Sequence, residues 1–95
     1  MRLDSLSQIT YEYWKDTALE HAKRKVSYYE SLDKTKMGEA IKTDTIDLIR
    51  NGVGEDIRSV HSDCDESYIR NLLLGAAERI DYGSVADKIC YEYIP

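Results

Sequence analysis

The residues best suited to chemistry in this 95-residue chain lie together in one short segment. This segment contains five side chains that can ligate a metal ion, namely His61, Asp63, Cys64, Asp65 and Glu66. A zinc site usually takes four ligands from two separated pairs, and a calcium loop needs a third oxygen ligand, a glycine and a distant glutamate. The segment lacks these features. We therefore expect no metal site, and we interpret Asp63 or Asp65 as the cap of a nearby helix.

Other arrangements that could support catalysis are incomplete. Serine, histidine and aspartate are all present, but the chain has no glycine-flanked serine of the kind found in strained nucleophile turns. The segment Gly52-Val53-Gly54 lacks the third glycine and the Lys-Ser/Thr pair of a nucleotide-binding loop. The sequence therefore predicts a protein that is not an enzyme and that needs no cofactor.

The first residues of the sequence, its apolar stretches and its cysteines indicate where in the cell the protein is expected. The first residues do not form the charged segment, apolar run and cleavage site of a secretory signal, and no stretch reaches membrane-spanning length. Cys64 and Cys90 are the only cysteines and do not form a CxxC motif. We expect a cytoplasmic protein with reduced thiols and no membrane partner.

The net charge of −5 is concentrated in the middle of the chain. From Asp44 to Glu66 there are seven acidic residues against two arginines, and the remainder of the chain is balanced. Such a segment repels nucleic acid, so direct binding to DNA or RNA is not expected. The basic run Lys23-Arg24-Lys25 has acidic residues around it, and we interpret it as a solvated helix face.

The spacing of apolar residues predicts helices from the first residues onward. Ser5-Leu6-Ser7-Gln8 fits a capping box, and apolar residues then recur at steps of three and four. This pattern predicts a long helix over about residues 6–31. A second helix, capped by Asp33 or Thr35, is predicted to stop at Asn51-Gly52, because glycine commonly ends helices.

The second half of the chain predicts a short helical turn over 55–60, a loop over 61–65 and two further helices. The third helix is apolar all round from Leu72 to Ala77, so we expect it to be the buried centre. Ser84 begins a serine-to-acid cap for the last helix, whose inward residues are predicted to be Val85, Ala86, Ile89, Cys90 and Tyr93. The predicted core includes Trp14, Leu72, Leu73, Ala76 and Ile89.

Together these elements predict an all-α, compact single domain spanning residues 1–95. It has about four helices, with the long N-terminal helix packed on the buried third helix.

The acidic segment provides the first functional hypothesis. In composition and size the chain resembles small acidic helical proteins that mimic duplex DNA, such as phage inhibitors of restriction or CRISPR proteins. The resemblance implies a non-catalytic inhibitor that engages a basic surface of a partner protein. The residues predicted to bind this partner are Asp44, Asp47, Glu55, Asp56, Asp63 and Glu66.

A second apolar stripe on the first helix provides the alternative hypothesis. Leu6, Ile9 and Tyr13 lie nearly opposite the Trp14 stripe, and one helix cannot bury two opposite faces against one small core. These residues either contact a partner, with a homodimer as one option, or are covered by the segment 91–94. In the first case the chain is a self-associating structural or regulatory module.

Overall fold

A computed structural model describes residues 2–59 and 66–93, and of residues 66, 67 and 93 it describes the backbone only. These residues form five α-helices and no strand. The helices are α1 (Ser5–Arg24), α2 (Val26–Glu30), α3 (Lys34–Ser59), α4 (Glu66–Glu78) and α5 (Tyr82–Tyr93). The prediction of an all-α fold is confirmed. The predicted loop 61–65 lies outside the described residues.

The long N-terminal helix is present but is divided into two. It breaks at Lys25, whose backbone N–H bonds to the carbonyl of Ala22, and α2 continues after the break. The helix begins at Ser5, and its cap is Asp4, one residue before the predicted cap at Ser5, because Asp4 Oδ1 accepts a hydrogen bond of 2.8 Å from the Ser7 N–H. The Ser7 side chain is instead buried, and its Oγ accepts a hydrogen bond of 3.0 Å from the Asp81 N–H.

The predicted stop at Asn51-Gly52 is wrong, because α3 runs through both residues to Ser59. Its start is as predicted, since Asp33 Oδ1 accepts a hydrogen bond of 2.9 Å from the Lys36 N–H. The reason for Gly52 is packing across helices. A Cβ at this position would overlap three atoms of the Trp14 indole ring, so glycine allows α1 and α3 to approach closely.

The centre of the fold is α5 rather than the helix expected from the sequence. Val85 and Ala86 are fully buried and Ile89 is nearly so, as predicted, and α5 packs against both α1 and α3. The expectation that the third predicted helix, which corresponds to α4, is the buried centre is wrong. In α4, Leu72 and Ala76 are exposed and Leu73 is only half-buried, because among the described helices only α3 packs against it.

The main core lies where α1, α3 and α5 meet. Trp14, predicted to be buried, is half-buried at its edge against Gly52. The buried residues of this core are Tyr11, Ala18, Ile49, Ile80, Tyr82, Val85 and Ile89.

The start of α5 is fixed by Asp81, three residues before the predicted cap at Ser84. Its carboxylate accepts hydrogen bonds from the Ser84 N–H at 3.1 Å and the Ser84 hydroxyl at 2.7 Å. These bonds lower the pKa of Asp81, because they stabilise its charged form. The Asp81 N–H in turn donates to Ser7, so the same residue ties α5 to the start of α1.

Candidate functional site

Asp44, the first residue of the predicted acidic site, is engaged within the protein. Its Oδ2 accepts hydrogen bonds of 2.7 Å from Lys25 Nζ and from the Tyr29 hydroxyl. Burial alone would raise the pKa of Asp44, but the bonds from Lys25 and Tyr29 outweigh it, and the net pKa is lowered. Asp44 therefore joins the break after α1 to α3, and its carboxylate is not presented freely to a partner.

The other acidic residues of α3 are exposed but do not form one band. Asp47 and Glu55 lie about 80° apart around the helix and about 12 Å apart along it. Asp56 lies about 180° from Asp47 and therefore on the opposite side of the helix. Asp63 lies outside the described residues, and Glu66 is the first residue of α4, with its side chain not described.

Arginine side chains lie among these carboxylates. The Arg50 guanidinium stacks 5.1 Å from the centre of the Tyr82 ring, which holds it against the start of α5. The Arg58 guanidinium lies beside Gly54, close to Glu55 along the chain. Both positive charges reduce the negative potential that Asp47, Glu55 and Asp56 produce along α3.

The apolar stripe predicted on α1 is exposed. Ile9 is 64% exposed and Tyr13 is 71% exposed, while Leu6 is half-buried. Tyr91 is itself 84% exposed, so it does not pack over them. Ile94 lies outside the described residues. Of the two alternatives left open by the sequence, the described part of the chain leaves Ile9 and Tyr13 accessible to a partner.

Leu6, the first residue of the stripe on α1, lies near a second exposed surface, on α4. Tyr68 is 66% exposed and Leu72 is 55% exposed. A groove of about 440 Å³ lies between the two helices, and it joins Leu6 to the exposed side of α4. It is lined by Leu6, Asn71, Leu72, Gly75, Ala76 and Arg79. We refer to Leu6, Ile9, Tyr13, Tyr68, Leu72, Gly75 and Ala76 as the apolar surface.

A polar cluster joins α1 to the other end of α5. The buried Tyr11 donates a hydrogen bond from its hydroxyl to Glu92 Oε1. Lys88 Nζ lies 4.3 Å from the centre of the Tyr11 ring and 3.4 Å from Gln8 Oε1. Burial, followed by the bond to Glu92, raises the pKa of Tyr11 to about 12. The phenol is therefore neutral at physiological pH, and the cluster acts as a link between helices.

Sequence reasoning missed this cluster and the groove for the same reason. Tyr11 and Glu92 are 81 residues apart, and Leu6 is far along the chain from Leu72. No local spacing signals such pairs. The exposure of α4 was missed because an apolar run indicates that a helix needs partners but does not identify which of its faces is covered.

A second groove, of about 540 Å³, lies where α3, α4 and the start of α5 meet. Val53, Ile57 and Leu74 supply apolar walls, and Arg50 and Glu78 lie among its lining residues. Its mixed lining provides no set of groups that would position a particular ligand.

The cysteine and the acidic residues of the described chain give no sign of a reactive centre. Cys90 is a half-buried free thiol, and burial raises its pKa, which disfavours the nucleophilic thiolate. Across residues 2–59 and 66–93, no three His, Cys, Asp or Glu side chains are grouped so that they could hold a metal ion. The same residues contain no helix with the length and apolar character needed to cross a membrane.

Comparison with known proteins adds no relative. No protein-family model, no curated protein and no solved structure matches this chain.

Proposed function

We propose that this chain is a non-catalytic protein-binding domain and that it binds through the apolar surface of α1 and α4. The observation that carries this proposal is the exposure of Ile9 and Tyr13 on α1 and of Tyr68 and Leu72 on α4, two helices that share the groove between Leu6 and Leu72. All four side chains are more than half exposed, and exposed apolar surface of this kind is typical of protein-binding sites.

The chemistry of the surface fits protein association better than small-molecule binding. Tyrosine offers a large rigid apolar area with a polar tip, and it is enriched where proteins meet. The groove beside Leu6 is lined by Leu72, Gly75 and Ala76, and it would seat a side chain of a partner protein. We propose that the protein acts in the cytoplasm, as expected from the sequence, where the free thiol of Cys90 stays reduced.

Three substitutions on the apolar surface test the proposal: Ile9→Ser, Tyr13→Ser and Leu72→Ser in one chain. A matched control carries Val26→Ser, Tyr28→Ser and Tyr91→Ser, which are exposed apolar residues outside the surface. Self-association of the parent and the variants is measured by sedimentation. Their capture of proteins from a lysate of the source organism is quantified as well. We expect the surface variant to lose association that the control keeps. Equal association by both variants would contradict the proposal.

A second candidate function is a non-catalytic inhibitor that engages a basic, nucleic-acid-binding surface of a partner protein, as phage-type DNA mimics do. It is supported by Asp47, Glu55 and Asp56, which are exposed and have no ion pair among the described residues. The scatter of these carboxylates around α3 and the internal contacts of Asp44 make it the weaker candidate.

Charge reversal distinguishes the two candidates. The variant Asp47→Lys, Glu55→Lys, Asp56→Lys is compared with a control that reverses Asp16, Glu30 and Glu39, which are exposed residues outside the acidic segment. The inhibitor function predicts slower association with a captured partner for the first variant only, with a difference that shrinks as salt screens the charges. Equal rates for the two variants would leave the apolar surface as the binding site.

A further inference from the structure

The exposed side of α4 carries four residues in a regular pattern. Tyr68, Leu72, Gly75 and Arg79 are spaced by four, three and four residues, so each follows the previous one by about one helical turn. All four are exposed. Arg79 follows the last residue of α4, and its backbone N–H still bonds to the carbonyl of Ala76 at 3.0 Å. The pattern therefore runs along the length of the described helix.

This spacing reads the same in both chain directions. When a second copy of α4 lies antiparallel across the first, centred between residues 73 and 74, Leu72 faces Gly75 of the second copy. Tyr68 then faces Arg79 of the second copy, and the two-fold axis repeats both pairs. A large aliphatic side chain meets a position without a side chain, and a guanidinium meets an aromatic ring, which is a favourable pair. The stripe is thus complementary to itself.

Gly75 supports this arrangement because no contact within the described residues requires a glycine there. No atom of residues 2–59 or 66–93 lies within 4 Å of the position where its Cβ would be, although glycine inside a helix weakens that helix relative to alanine. Gly52 shows what such a glycine does elsewhere in this protein, since its missing Cβ makes room for the Trp14 ring. Gly75 offers the same kind of space on the outside of the molecule.

We propose that α4 forms a two-fold symmetric homodimer in which the helices cross antiparallel and Leu72 of each copy packs on Gly75 of the other. This inference rests on the proposed function and names its partner, a second copy of the chain. Leu6 borders the same groove as Leu72 and Gly75, so the contact extends from α4 to Leu6 of α1. A two-fold contact of this kind is closed and limits assembly to a dimer.

The first test fills the space at Gly75. Sedimentation equilibrium compares the parent with Gly75→Leu and with the control Gly38→Leu, which makes the same change at another helical glycine with open space around it. We expect the parent to dimerise. Gly75→Leu should raise the dissociation constant about tenfold or more, because the added side chain takes the place of the incoming Leu72. Gly38→Leu should leave it unchanged.

The second test fixes the direction and register of the helices. In a background with Cys64→Ser and Cys90→Ser, the variants Tyr68→Cys and Arg79→Cys are oxidised separately and as a mixture. The mixture should form a disulfide-linked dimer. Each variant alone should not, because identical residues of the two copies lie about 16 Å apart along the antiparallel helices, beyond the reach of a disulfide.

The possible results separate this inference from the proposed function. Cross-linking of each variant with itself indicates parallel helices and overturns the arrangement. A parent that is monomeric at every concentration also overturns it, and the proposed function then stands only if the apolar surface still captures a host protein. Should Gly75→Leu prevent folding, which circular dichroism reveals, the cysteine pairs decide the question.

Discussion

The two C-terminal helices, α4 and α5, are of similar length but have opposite roles. Val85, Ala86 and Ile89 of α5 lie in the core between α1 and α3, whereas Leu72 of α4 is more than half exposed. Both helices have enough apolar residues to be central. The difference shows that the number of apolar residues indicates how much of a helix needs to be buried. It does not indicate which neighbour buries it.

Polar contacts to α1 distinguish the central helix. Ser7 accepts a hydrogen bond from Asp81 at the start of α5, and Tyr11 donates one to Glu92 near its end. Lys42 of α3 adds an ion pair with Asp87 at 2.9 Å. These contacts fix α5 along its length, so that its apolar face stays directed at α1 and α3.

The largest expected difference concerns side-chain truncation in the two helices. Ile89→Ala should lower the free energy of unfolding by about 2 to 5 kcal/mol, because it leaves a cavity in the core. Leu72→Ala should lower it by about 1 kcal/mol or less, since that side chain is 55% exposed. Denaturant unfolding of both variants at low protein concentration measures the two values. Equal losses would mean that α4 is as central as α5.

A second prediction concerns the contact between α1 and α3 at Trp14 and Gly52. Gly52→Ala should destabilise the protein by about 1 to 3 kcal/mol, because the added methyl group displaces the Trp14 ring. Trp14 is the only tryptophan, so its fluorescence should change at the same time. An unchanged emission spectrum together with a gain in stability would show that α3 does not need glycine at this position.

A third prediction concerns pH and the link between Tyr11 and Glu92. The pKa of Tyr11 is raised from 10.0 to about 12, so its contribution to stability is fully present below pH 10 and is lost as the pH rises from 10 to about 12. Tyr11→Phe should therefore flatten the fall in unfolding free energy over this range. Tyr13→Phe, at an exposed tyrosine of the same helix, is the control. If the unfolding free energy of Tyr11→Phe falls as steeply as that of the parent, groups other than Tyr11 cause the loss of stability at alkaline pH.

The smallest expected effect is a gain in stability at Gly75. Gly75→Ala should raise the unfolding free energy of the monomer by about 0.5 to 1 kcal/mol, because alanine favours helix and nothing lies near its methyl group. The measurement uses a protein concentration at which the chain is monomeric. A loss of stability would show that Gly75 contacts another part of the same chain.

The sequence was sufficient for features that depend on near neighbours. The all-α class, the cap at Asp33 and the inward positions of Val85 and Ala86 follow from periodicity and capping, which act within a few residues. The exposed stripe on α1 was also found in this way.

The errors arise where distant residues decide the outcome. Gly52 looked like a helix stop, because its partner Trp14 lies 38 positions earlier in the chain. Asp44 looked like a free carboxylate, because Lys25 and Tyr29 reach it only once α3 has folded back on α1 and α2. For α4, the apolar pattern wrongly predicted a buried helix, because tertiary packing and not local spacing decides which side of the helix is covered.

The central position of α5 has a consequence for synthesis on the ribosome. The helix α1 emerges first, yet the face it buries is covered by residues 82–93, and the bonds that join the two helices span 74 and 81 positions. Nearly the whole described chain must therefore emerge before the main core closes. During that interval Tyr11 and Ala18 are uncovered, so the nascent chain exposes apolar surface that the finished fold removes.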